Sequence, residues 1–137
     1  MASMSNFLEN KLIDFILRGI SYSPASTLYV ALCTAAPTDS STGSTISEIN
    51  GGNYTRRSLV CNTTNWTASV TTGTSNNATA IEWLGVTWSG TVSHVAICDS
   101  LTSGNMLFYS ALSSSQTVAS GDSISFGING LSIQIDN

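Results

Sequence analysis

Apolar residues near the start of the chain recur at the helical period. Within residues 6–18 (NFLENKLIDFILR), Leu8, Leu12, Phe15 and Ile16 fall on one stripe, and Phe7, Ile13 and Leu17 widen it. Asn6 reads as the N-cap, with Glu9 three positions on as its capping-box partner. Asp14 and Arg18 make an i,i+4 pair, Arg18 also suits the negative end of the helix, and Gly19 supplies the stop. A helix apolar on more than one side must be covered by its own domain or by another subunit. Leu8, Leu12, Phe15 and Ile16 are therefore candidate interface residues, with packing inside the same subunit as the plain alternative.

After the helix the period changes to two. Ser23-Pro24-Ala25 is a breaker, and Thr27 to Thr34 reads as a buried strand with Leu28, Val30 and Leu32 on one face. Residues 35–53 read as a long polar loop, of the kind that is usually functional or an interaction arm. Tyr54 to Cys61 is the next strand, with Trp66 to Val70 and Ala78 to Leu84 as weaker ones. Thr91 to Cys98 and Met106 to Leu112 read as a hairpin across a turn at 99–105. A turn at 120–122 leads into Ser123 to Ile128, and Asn129-Gly130 predicts a hairpin with Leu131 to Ile135. Seven or eight short strands at this spacing predict a mainly β fold: an antiparallel β-sandwich, jelly-roll-like, with one N-terminal α-helix. Without an internal repeat or linker, residues 1–137 read as a single domain.

Charge is what the composition changes. Asp, Glu, Lys and Arg make up 9% of 137 residues, against about 25% in ordinary soluble domains. Ser, Thr, Asn and Gly carry the polar load, and a hydroxyl costs less to bury than a charge. Such a surface can press against copies of itself, so we expect a homo-oligomer; a neutral extracellular or lectin-like domain is the alternative. The net charge of −4 argues against nucleic acid as a partner, since phosphate neutralisation needs clustered basic residues. Arg56 and Arg57 are adjacent in a strand and point to opposite faces; one is expected in an ion pair or interface and the other in solvent. Glu9, Lys11 and Asp14 interrupt the first apolar segment, so neither a secretory signal nor a membrane span is expected.

Candidate chemistry is sparse. Cys33, Cys61 and Cys98 are far apart and read as buried free thiols, kept reduced during assembly in a cytoplasm. His94 stands alone, and Asp99 follows it by an odd number of residues, hence on the opposite strand face. The acids are scattered, and phosphate-binding glycine loops and nucleophile elbows are missing. No catalytic, cofactor or metal site is expected, and the protein reads as a non-enzyme. Sequons at Asn53, Asn62, Asn65 and Asn77 are what so Asn- and Thr-rich a chain gives by chance. Trp66, Trp83 and Trp88 could stack on sugar rings, but their spacing fits a sandwich core better.

The order of segments resembles a family of small virion structural proteins of tailed bacteriophages. The resemblance lies in the helix NFLENKLIDFILRG and the strand TLYVALCTAAPTD. It continues through Glu48 before Asn50-Gly51-Gly52, the Tyr54-Thr55-Arg56 step, VSHVAICDSLTSGNMLFYSAL and GDSISFGINGLSIQI. Residues 62–79 depart from the pattern. Members are capsid decoration (cement) proteins or tail-fibre proteins. The resemblance implies a β-rich accessory subunit of the virion, oligomeric and without catalysis, assembled in the host cytoplasm. The first expectation is a cement protein, trimeric, that clamps major capsid protein or other virion proteins. A tail fibre or tail-tip component binding a host surface glycan is the alternative. Tyr54 and Arg56 join the helix stripe as candidate interface residues on this basis.

Overall fold

In the computed structural model, which describes residues 2–70 and 72–135, the chain begins with β1 (Ser3–Met4), α1 (Asn6–Arg18), β2 (Thr27–Cys33) and β3 (Arg57–Val60). There follow β4 (Thr74–Asn76), β5 (Ile81–Trp83), β6 (Gly90–Cys98), β7 (Met106–Val118), β8 (Ile124–Phe126) and β9 (Ser132–Gln134). Five strands form one antiparallel sheet in the order β1-β7-β6-β2-β3. The remaining four pair as two ladders, β4 with β9 and β5 with β8. The fold is mainly β with one helix, as expected.

Alternation along the central strands separates two cores. On one face Val30, Leu32, Val95 and Ile97 meet Ile81, Trp83 and Leu131 of the opposing ladders and turns. This is the interior of the sandwich, whose second layer is two short ladders rather than one continuous sheet. The other face carries Ala31, Cys33, Ala96 and Cys98, and Ile46 and Met106 cluster with them. These side chains are small, so backbone can lie close against the sheet there.

That space is filled by residues 35–53, the segment expected to be an interaction arm. Thr34 N donates to Ser47 O at 2.8 Å and Ile49 N to Leu32 O at 2.9 Å. Ile46 and Ile49 are buried, one in each core. The loop is a lid on its own sheet because two apolar residues in it have somewhere to go.

Four other expectations need correction. The N-cap is Ser5, not Asn6: its Oγ accepts from Leu8 N at 3.4 Å and donates to the Met106 carbonyl. The turn at Asn129-Gly130 joins no hairpin, because β8 pairs with β5 and β9 with β4. Residues Trp66 to Val70 form no strand; Trp66 makes a single bridge to Asn77. Cys61 is exposed, lying just beyond the end of β3, whereas Cys33 and Cys98 are buried.

The β6–β7 hairpin is present and longer than its apolar pattern. His94 pairs with Ala111 and Val92 with Gln116, so Leu112 to Ser115 stand opposite Ser93 alone. This wide bulge throws a serine-rich stretch of β7 out of the ladder.

Candidate assembly surface

The helix is fastened at its N-terminal end. Ser5 is fully buried, its N–H donates to Leu107 O at 2.9 Å, and Asn6 N donates to Asp39 O at 2.9 Å. Tyr109 Oη donates to the Asp39 carboxylate beside it. Leu8 is the one helical residue that is buried among those described. Beyond it the helix runs out over solvent.

At 100° per residue, Leu8, Leu12 and Phe15 share one side and Ile13, Ile16 and Leu17 share another. The first side turns toward the domain: Leu8 is buried, Leu12 half-buried and Phe15 exposed at its far end. The second faces outward, with Ile16 71% and Leu17 76% exposed. Ile13 and, past the left-handed cap at Gly19, Ile20 extend the same apolar patch. The ion pair Arg18–Asp14, at 2.8 Å, flanks it. Outward-facing Ile and Leu at i, i+3, i+4 spacing form the seam by which helices pair. The expected stripe is therefore split: Leu8 holds the helix to its own sheet, while Ile16, joined by Ile13 and Leu17, points away.

Arg56 lies inside the molecule and Tyr54 is half-buried against it. Arg56 is 4% exposed and makes hydrogen bonds with all its N–H groups. Nε reaches Glu48 Oε1 at 3.0 Å and Oε2 at 3.1 Å, and Nη2 reaches Oε2 at 2.8 Å. The carbonyls of Gly43, Ser100 and Ser103 take the rest, at 2.6, 2.9 and 3.0 Å. A Cβ on Gly43 would run into the Ser103 carbonyl, so this approach needs glycine. Tyr54 Oη donates to Glu48 Oε1 at 2.7 Å and accepts from Leu32 N at 2.9 Å. Burial first, and then the bond to Glu48, raises the Tyr54 phenol above its usual range. Glu48, Tyr54 and Arg56 thus form a clip joining β2, the lid and the 99–105 turn. Arg57, the neighbour of Arg56 and expected in solvent, is instead half-buried with its guanidinium over the Trp83 ring at 6.0 Å.

The chemistry-bearing residues are dispersed. His94 is half-buried, with Nδ1 2.8 Å from Ser93 Oγ, and Asp99 accepts from Asn105 N and Nδ2 at 2.8 Å to cap its turn. Trp83 and Trp88 are core residues, and Trp66 is half-buried. Among the described residues no group of three or more His, Cys, Asp or Glu is placed to hold a metal. Asn77, which sequence reading passed over as a chance sequon, is fully buried and bridges the two ladders. Its Nδ2 donates to Thr79 O at 2.9 Å and Gly127 O at 2.8 Å, and its Oδ1 accepts from Leu131 N at 2.8 Å. Only its place between turn signals could have marked it.

No curated protein matches the chain. Residues 3–134 match the family described as Podophage GP4 fiber I protein gp80. That span takes in the helix, the lid, the clip and all the strands, and the chain belongs to this family of fibre proteins of tailed-phage virions.

Proposed function

We propose that the protein is a non-catalytic subunit of a phage tail fibre and that copies of it associate through the outward face of α1. The family match carries the fibre assignment, since its description is of a fibre protein and does not extend to capsid decoration. It favours the tail-fibre alternative over the capsid clamp. The exposed Ile13, Ile16 and Leu17 support the second part. Burying such a side chain is worth about 1.5–3 kcal/mol, against which the ordering cost of association must be set. Rotational symmetry repeats the same contact in each copy, and a trimer is the stoichiometry we favour. The low charge of the chain fits subunits packed side by side, with little repulsion to overcome.

Cryo-EM or immunogold labelling of virions with antibody to this chain tests the placement. Label at the tail is the expected result. Label confined to the shell would return the protein to the capsid.

A further inference from the structure

The wide bulge of β7 opens a cleft between the main sheet and the ladder strands β8 and β9. Its volume is about 720 Å³, and none of the described residues that line it is charged. Ser113, Ser114 and Gln116 come from β7, Ser123 and Ser125 from β8 and its approach, and Ser132 from β9. Between them Ile124 and Phe126 offer a half-buried apolar floor, with the Phe126 ring set edge-on to Trp83 at 6.3 Å. Gln116 Nε2 donates to Ser114 Oγ at 3.2 Å and to Ser114 O at 3.3 Å, which fixes part of the rim.

From this lining we propose that the cleft binds a neutral oligosaccharide of a bacterial surface. The inference rests on the fibre reading above and names the site and ligand class for it. A serine hydroxyl both donates and accepts, and so does a carboxamide, which matches a ligand bearing many hydroxyls. The C–H faces of sugar rings are apolar and suit Ile124 and Phe126. An uncharged wall gives an acidic or basic ligand nothing to offset its desolvation. The size falls in the range of ligand pockets, about 300–1,000 Å³. Of the tryptophans that sequence reading offered to sugars, Trp83 and Trp88 are 1% and 3% exposed, and the half-buried Trp66 does not line this cleft.

The test is an array of neutral and acidic bacterial oligosaccharides probed with the full chain and with two variants, Ser114→Glu and Gln116→Tyr. One puts a charge in the cleft and the other narrows it, both at exposed positions of the bulged segment of β7. Retention of at least one neutral glycan is expected, with affinity unchanged between low and high salt because no charge is screened. Each variant should lose that affinity at least ten-fold while keeping the parent melting temperature. Retention of acidic glycans only, of none, or of neutral glycans equally by both variants overturns the assignment. So do cleft variants that change the oligomeric mass and leave glycan retention intact, since a second copy would then occupy the cleft. Tail labelling without cleft-dependent retention sinks this site alone, whereas shell labelling sinks the fibre reading whatever the array shows.

Discussion

Arg56 grips Glu48 through three hydrogen bonds of 2.8–3.1 Å, across a chain separation of eight residues that contains Gly51 and Gly52. The guanidinium is nearly sealed from solvent, with its side chain 3% exposed, and the carboxylate is 20% exposed. Three backbone carbonyls complete its shell. A single side chain therefore holds the lid, the 99–105 turn and the start of β3 together.

Replacing Arg56 should cost more than any surface change. Arg56→Ala leaves Glu48 and three carbonyls without their donor, and breaking such a pair costs about 3–5 kcal/mol. Lysine keeps the charge but has three donors on one nitrogen, so Arg56→Lys should still lose about 2 kcal/mol. Urea unfolding followed by tryptophan fluorescence reads both. A lysine variant with the parent midpoint would show that the fork geometry is idle.

Asn77 makes the same kind of argument for the second layer. Asn77→Ala removes the two donors that serve Thr79 O and Gly127 O together with the acceptor for Leu131 N, at a fully buried position. We expect a loss of about 2–3 kcal/mol and earlier hydrogen exchange at Leu131 N than in the central strands. Unchanged exchange at Leu131 would remove Asn77 as the tie between the ladders.

These two residues mark the limit of what the chain discloses. Strands β2, β6 and β7 were legible because each is an apolar run with a period, and the helix was legible for the same reason. The lid was misread because Ile46 and Ile49 are isolated among polar neighbours, and only the small side chains beneath them make a seat. The Asn129-Gly130 turn has hairpin chemistry, yet Asn77 O accepts from Asn129 N at 2.8 Å and ties the turn between the two ladders instead. The cap slipped by one residue because Ser5 and Asn6 are both good caps, and the Met106 carbonyl, 101 residues away, decides between them. Tyr54 and Arg56 were recognised as special, but whether they faced outward or inward depended on contacts far along the chain.

Stability should fall on the alkaline side. Burial first, and then nearby Glu48, pushes the Cys33 thiol up to about 12 from 9.0, and burial pushes Cys98 up to about 11. Tyr54 is raised as well. Each group keeps its proton longer when folded than when unfolded, so its contribution is complete below pH 9 and lost as pH rises through the folded value. Each buried thiol then weakens the fold by about 1.4 kcal/mol per pH unit between those limits. Urea midpoints at pH 7 and 8 should agree, and those at pH 10 and 11 should drop in sequence. The Cys33→Ala, Cys98→Ala double variant should flatten that fall, and an equally steep fall in it would exclude the thiols as its cause. In the same experiment at pH 8, a thiol reagent should titrate one group quickly, the exposed Cys61.

The outward face of α1 allows the sharpest separation of folding from assembly. Ile16 and Leu17 are 71% and 76% exposed within one copy, so charging them leaves the interior of the subunit untouched. Ile16→Glu with Leu17→Glu should change monomer stability by no more than about 0.5 kcal/mol. In an assembly the same change buries two carboxylates against apolar neighbours and should abolish association. Sedimentation velocity or light scattering should give an oligomer for the parent and a single copy for the double variant, with matching circular dichroism. Leu8→Glu makes the contrast, since Leu8 is 7% exposed and should unfold the helix from its own sheet before any partner is involved. A parent that sediments as one copy at every concentration, or a double variant that assembles like the parent, would move the contact between subunits away from this helix.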